Sequence, residues 1–116
     1  MHPTTPKLLE DMAVAGDLIA EHLVGRSLAD YEHDPLLRAG VERCCEIIGE
    51  ALRRIERRDP GAVALIPGYH DLIDLREALD HGYDTVEHAD VWRFVNEELP
   101  LLRDRVAALL HEAEDA

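Results

Sequence analysis

Two side chains in the segment LREALDHGY, residues 75–83, have the chemistry to act together on a phosphate ester. Arg76 offers a permanently charged planar fork for phosphate oxygens, and His81 can accept or donate a proton near neutral pH. In RNA, the histidine would take the proton of a 2′-hydroxyl that attacks the neighbouring phosphorus, while the arginine stabilises the negative charge on the phosphoryl oxygens. Tyr83 adds a phenol that can bind phosphate or stack on a base. These residue types indicate phosphoryl transfer without a metal ion.

The spacing of this pair does not suit one regular helix. Each residue turns the side chain by about 100°, so Arg76 and His81 should point about 140° apart. Two arrangements would still bring them together. Either the helix loosens at His81 and Gly82, or a second copy of the chain supplies its own motif across a two-fold axis. The bare motif is a weak signal, because an exposed arginine and a histidine near a helix end also occur for structural reasons.

The elements that must position the pair are helices. Aromatic residues make up 4% of the chain, and apolar residues recur every three and four positions, which is typical of α-helices. We predict helices at about residues 6–24, 28–33, 36–57, 72–82 and 89–112. Ser27 with Asp30 resembles a capping box, and Asp34 is a good N-cap. Gly82 is placed to end the fourth long helix, and Pro100 should kink the last one. The expected fold is all-α, an up-and-down bundle of four long helices plus one short helix.

Composition sets the class of protein. The chain has 116 residues, 47% of them hydrophobic, which fits a single domain spanning residues 1–116. No apolar run reaches the ~18 residues of a membrane span and no signal peptide is recognisable, so we expect a cytoplasmic protein without membrane contact. Cys44 and Cys45 are adjacent, and we expect both to be reduced and structural. The net charge of −13 argues against a broad nucleic-acid surface, so any RNA contact must be local.

A metal site is the main competing hypothesis, since the chain has seven histidines and 25 acidic residues. His70 with Asp74, and Asp84 with His88, have the spacing of four that shares a helical face. However, no Glu-x-x-His pair recurs on two helices, as a di-metal bundle would require. We therefore expect no metal and no cofactor. Trp92 is expected in core or dimer packing rather than in base stacking.

Two segments, DLIDLREALDHGY and ADVWRFVNEELPLLRDRVAALL, resemble the C-terminal half of the HepT-like ribonucleases of the HEPN superfamily. In that family an Arg-polar-(x)-Leu-x-His-Gly-Tyr motif precedes a helix with Val-Trp and Leu-Pro-x-Leu. The matching residues are Arg76, Glu77, Leu79, His81, Gly82, Tyr83, Val91, Trp92, Leu99, Pro100 and Leu102. Residues 8–52, with the segments SLADYEHD and EIIGEA, resemble the first helices of the family. The resemblance thus covers nearly the whole chain.

The resemblance implies a HEPN-like helical bundle that homodimerises around paired Arg-His motifs. It implies an RNA endonuclease that cleaves tRNA or mRNA as the toxin of a type II toxin-antitoxin system, with an MNT-type nucleotidyltransferase as antitoxin. Arg76, His81 and Tyr83 would be catalytic, with Glu77 and Asp80 in support. The antitoxin would attach AMP to Tyr83, which would place bulk and a negative phosphate in the groove meant for an RNA phosphate.

Glu77 departs from the family pattern, because the residue after the motif arginine is commonly Asn. Residues 69–90 contain seven acids and only one Lys or Arg, Arg76, and this field repels RNA. The main basic cluster consists of Arg53, Arg54, Arg57 and Arg58. Three roles are open for it: it guides RNA, it docks an acidic partner, or it is only the solvent-exposed end of a helix. Two hypotheses stay open: an active nuclease, or a catalytically weakened HEPN-like dimer that serves as a binding module for a nucleotidyltransferase partner.

Overall fold

The computed structural model describes residues 1–82 and 86–115, which form seven helices. The helices are α1 (Thr5–Leu23), α2 (Leu28–Glu32), α3 (Pro35–Arg58), α4 (Pro60–Val63), α5 (Tyr69–Gly82), α6 (His88–Glu97) and α7 (Leu99–Asp115). No strand occurs in these two stretches of the chain. The predicted all-α class is therefore confirmed.

The N-termini of α2 and α3 are capped by the predicted side chains. The Asp30 N–H donates to Ser27 Oγ at 3.1 Å, and the Ser27 N–H donates back to Asp30 Oδ2 at 2.9 Å. Asp34 accepts a hydrogen bond from the Leu37 N–H at 3.0 Å. Both predicted caps are confirmed, and each supplies a partner for a backbone donor that the first helical turn leaves unpaired.

The C-terminal part of the chain differs from the single kinked helix predicted for residues 89–112. Glu98 separates α6 from α7, and Pro100 is the second residue of α7. Proline lacks a backbone N–H, and in the first turn of a helix that N–H would have no helical acceptor. Pro100 therefore starts a new helix instead of kinking a continuous one. The prolines at positions 35 and 60 begin α3 and α4 in the same way.

The motif helix, α5, which carries Arg76 and His81, packs against α3, the central helix of the bundle. α3 packs against α1 on one side and α5 on the other, while α7 packs against α1 and α6 contacts α2 and α7. The predicted apolar stripe of α1 is buried; its members are Leu8, Leu9, Met12, Ala15, Ile19 and Leu23. On α3 the buried residues are Val41, Cys45, Ile48, Gly49, Ala51, Leu52 and Ile55. α5 thus rests on a continuous apolar layer through its own Leu72 and Leu79.

The cysteines and the tryptophan have structural roles in this core. Cys44 and Cys45 are both free thiols, and burial raises the pKa of the Cys45 thiol to about 12, which makes it unreactive near neutral pH. Trp92 is half-buried and packs on the fully buried Tyr31, with 5.5 Å between ring centroids. None of the helices in the described ranges combines the length and apolar character needed to cross a membrane.

Gly49 sets the distance between α3 and α5. A Cβ atom at this position would lie 2.6 Å from the Cβ of Arg76 and 3.0 Å from the carbonyl oxygen of Leu72. Both of these atoms belong to or adjoin the backbone of α5, so neither can turn aside as the tip of a long side chain would. The two helices approach this closely only because position 49 has no side chain.

We expect Gly49→Ala to lower the free energy of unfolding by about 1–3 kcal/mol, because the added methyl group must push α5 away from α3. Gly40→Ala is the matched control on the same helix. A Cβ at position 40 meets no other atom within 4 Å, so this variant should gain about 0.5–1 kcal/mol from the better helix propensity of alanine. Urea unfolding followed by circular dichroism measures both values, and equal effects in the two variants would contradict the close approach.

Candidate active site

Arg76 lies on the side of α5 that faces α3, and 24% of its side chain is exposed. Its Nη2 is 3.1 Å from Glu50 Oε2 on α3, and its Nη1 is 3.3 Å from Asp80 Oδ2, one turn further along α5. The Nε is buried without a hydrogen-bond acceptor among the described residues. The guanidinium group is therefore held between two carboxylates, one of which it shares with Arg54.

Glu50 links this arginine to a second one. Glu50 Oε1 lies 3.1 Å from the Nε of Arg54, one turn further along α3. The other oxygen of the same carboxylate contacts Arg76, so Glu50 bridges two guanidinium groups on neighbouring helices. The charges alternate in sign along this chain of side chains, from Arg54 to Glu50, Arg76 and Asp80.

Glu46 extends the network beyond Asp80. Burial raises the pKa of the Glu46 carboxyl, and the negative charge of the nearby Asp80 raises it further. Two neighbouring carboxylates repel each other, so each favours the protonated form of the other. Asp80, predicted as a supporting residue, thus pairs with the motif arginine and lies near a second carboxyl group.

His81 is exposed and lies in the last turn of α5. The helix continues without a break through His81 and Gly82, so the loosened helix considered above is wrong. Arg76 is half-buried against α3 while His81 faces solvent, as the turn of about 140° between them requires. The structure of one chain therefore does not bring the two side chains together.

Tyr83, the third predicted catalytic residue and the predicted modification site, lies outside the described residues. Asp84, which was considered as a metal ligand with His88, lies outside them too. His70 is 4.0 Å from Glu56. Within residues 1–82 and 86–115 no group of three or more potential metal ligands occurs.

Glu77, the residue that departs from the family pattern, is exposed but has a basic neighbour. Its Oε1 is 3.3 Å from Nη1 of Arg53 on α3. This contact compensates part of the negative charge that the sequence places next to Arg76, although exposed pairs of this kind contribute little energy.

The predicted basic cluster is divided between two environments. Arg53 and Arg54 form ion pairs with Glu77 and Glu50. Arg57 and Arg58 are exposed in the last turn of α3, where positive charge is favoured by the helix dipole. The four arginines are therefore not one open basic patch, because two of them are tied to acids around the motif helix.

Glu50 is the residue that sequence reasoning missed. Its partner Arg76 lies on another helix, so no periodicity links the two positions. The available signals were the Glu50–Arg54 spacing of four, which places both on one face of α3, and the glycine next to Glu50. Neither signal identifies which neighbouring helix the carboxylate would reach.

Comparison with known proteins assigns the chain to a family. Residues 12–109 match the family described as "Ribonuclease HepT-like", and this span contains the whole motif. A protein of Caldanaerobacter subterraneus subsp. tengcongensis named "Putative RNase" is 28% identical over 109 residues, which cover 93% of this chain and 96% of the relative.

A second relative supports the same assignment. A protein of Thermococcus cleftensis named "Probable ribonuclease HepT" is 32% identical over 101 residues, covering 87% of this chain and 91% of the relative. No solved structure matches the chain. The resemblance inferred from the motif is confirmed, and the chain belongs to the HepT-like ribonuclease family.

Proposed function

We propose that this protein is a metal-independent endoribonuclease that acts as the toxin of a type II toxin-antitoxin system, with tRNA or mRNA as substrate. The observation that carries the proposal is the geometry of α5, which holds Arg76 half-buried against α3 and presents His81 to solvent. A fixed cation and an exposed histidine are the two groups that the proposed cleavage uses, and membership of a ribonuclease family supports the assignment.

In the proposed reaction His81 removes the proton of the RNA 2′-hydroxyl. The 2′-oxygen then bonds to the adjacent phosphorus, and the bond from phosphorus to the 5′-oxygen breaks. The products are a 2′,3′-cyclic phosphate and a 5′-hydroxyl, and the leaving 5′-oxygen takes its proton from water. Arg76 stabilises the negative charge that builds on the non-bridging phosphoryl oxygens.

The site is proposed to be shared by two copies of the chain. Because Arg76 and His81 diverge along one unbroken helix, the phosphate contacts Arg76 of one copy and His81 of the other. An isologous dimer around α5 would create two such sites, related by its two-fold axis.

Control of the site is proposed to occur at Tyr83. An MNT-type nucleotidyltransferase antitoxin would transfer AMP to the phenol oxygen of Tyr83. The added phosphate is negative and would repel RNA from a groove beside Arg76. Intact mass of the protein purified with and without its antitoxin would report this modification as steps of one AMP.

We expect His81→Ala and Arg76→Ala each to lower RNA cleavage by about 10²–10⁴-fold, the usual contribution of a proton-transfer or charge-stabilising group. Cleavage of total RNA by the purified protein in EDTA measures the effect. His111→Ala is the matched control, because His111 is an exposed histidine of α7 whose contact is Asp115. Loss of cleavage in EDTA, or full activity in either motif variant, would contradict the mechanism.

Mixed dimers test the shared site. We expect that co-expressing Arg76→Ala with His81→Ala restores part of the activity that each variant lacks alone. In such a mixed dimer one site combines both altered residues, and the other combines both original residues. If each chain used its own Arg76 and His81, the mixture would remain as inactive as its components.

The noncatalytic binding module is the second candidate function. It is favoured by the acids around the motif, because Glu50, Glu77 and Asp80 all lie near the groups that must receive RNA. In this alternative the dimer holds a nucleotidyltransferase partner but no longer cuts RNA.

We expect Glu77→Asn to raise cleavage by up to about fivefold, the effect of removing one exposed charge. The change restores the residue type common in the family and releases Arg53 from its ion pair. Asp74→Asn removes the same charge from an exposed position one turn earlier on α5 and is the control. Initial cleavage rates measure both, and equal rates in Glu77→Asn and the unaltered protein would show that this charge is not the obstacle.

A further inference from the structure

The Glu50 carboxylate bridges two guanidinium groups, and such a pair of cations also suits a phosphate group. One of its oxygens contacts Arg54 at 3.1 Å, and the other contacts Arg76 at 3.1 Å. The two non-bridging oxygens of a phosphodiester can contact two guanidinium groups in the same manner. Two arginines on neighbouring helices thus share one anionic partner, which is a side chain of the protein itself.

The surroundings leave room for an exchange of anions. A cavity of about 190 Å³ adjoins the bridge, with positive charge from Arg43, Arg54 and Arg76 and negative charge from Asp11, Glu46 and Glu50. The Arg54 side chain is 54% exposed and that of Glu50 is 36% exposed, so both can be reached from solvent. The Glu50–Arg54 pair is exposed enough to be weak. Arg76 is only 24% exposed, so the phosphate would have to supply the negative charge that a displaced Glu50 takes away from it.

We propose that Arg54 and Arg76 form one phosphate site for RNA, which the Glu50 carboxylate fills until RNA displaces it. This inference rests on the proposed nuclease function, and it assigns to Arg54 a direct contact with the RNA backbone. Glu50 acts as a competitor that weakens the affinity for short or isolated phosphates. A polynucleotide overcomes it because several phosphates bind at once and release their counterions.

The test measures binding separately from cleavage. A fluorescein-labelled 2′-O-methyl oligoribonucleotide has no 2′-hydroxyl to attack the phosphorus, so its affinity can be followed by fluorescence anisotropy without turnover. Glu50→Gln should tighten binding by about fivefold or more, because the competitor loses its charge, and Arg54→Ala should weaken it by a similar factor.

Two control variants account for the change in net charge. Glu56→Gln removes the same charge from α3 at a residue whose contact is His70, and Arg105→Ala removes an exposed arginine of α7. Each should change the affinity by less than about twofold, the effect of an exposed charge away from the site. Thermal unfolding confirms that each variant is folded, and Arg54→Ala tests the site by itself if Glu50→Gln is unstable.

Each outcome decides the proposal. If Glu50→Gln binds no more tightly than Glu56→Gln, Glu50 is only a structural partner of Arg76 and the competition is wrong. If Arg54→Ala binds as well as Arg105→Ala, or if no variant binds, the shared phosphate site is wrong. Cleavage of unmodified RNA by the same variants separates the phosphate site from the nuclease function. If RNA is cleaved but all variants bind with equal affinity, only the phosphate site is wrong. If the affinities follow the expected order but no RNA is cleaved, only the nuclease function is wrong.

Discussion

The close contact between α3 and α5 at Gly49 is the constraint on which the motif depends. It allows the backbone of α5 to lie against α3 at Arg76, so that the guanidinium group reaches the acids of its neighbour helix. The half-buried charge is tolerated because both Glu50 and Asp80 pair with it. Packing and electrostatics are therefore coupled at one residue, and the same contact orients the group proposed to bind RNA.

The helical continuity of α5 determines how the two motif residues can be used. A helix that remains regular through Gly82 sends Arg76 toward the core and His81 toward solvent. A single chain therefore fixes the Arg76 cation and leaves His81, the proposed proton-transfer group, accessible, but it does not bring the two side chains together. If association completes the proposed site, a lone chain would not cut RNA as soon as it is synthesised.

The fold could be predicted from sequence to the extent that it depends on local signals. The stripe of α1, the Ser27–Asp30 capping box and the Asp34 cap are encoded within a few residues, and the structure confirms each of them. The division between α6 and α7 was missed because a proline is compatible with either a kink or a helix start. The bridge through Glu50 was missed because it joins residues 26 positions apart, and its partners are set by tertiary packing.

The absence of a side chain at position 49 also bears on how such a protein could lose its activity under selection. If the protein is harmful to its host, cells survive by altering it, and the simplest changes need not touch Arg76 or His81. Any larger residue at position 49 would widen the gap between α3 and α5 and displace the arginine from its partners. Escape substitutions should therefore collect at a buried glycine on a different helix from the motif, where a survey limited to the motif would overlook them.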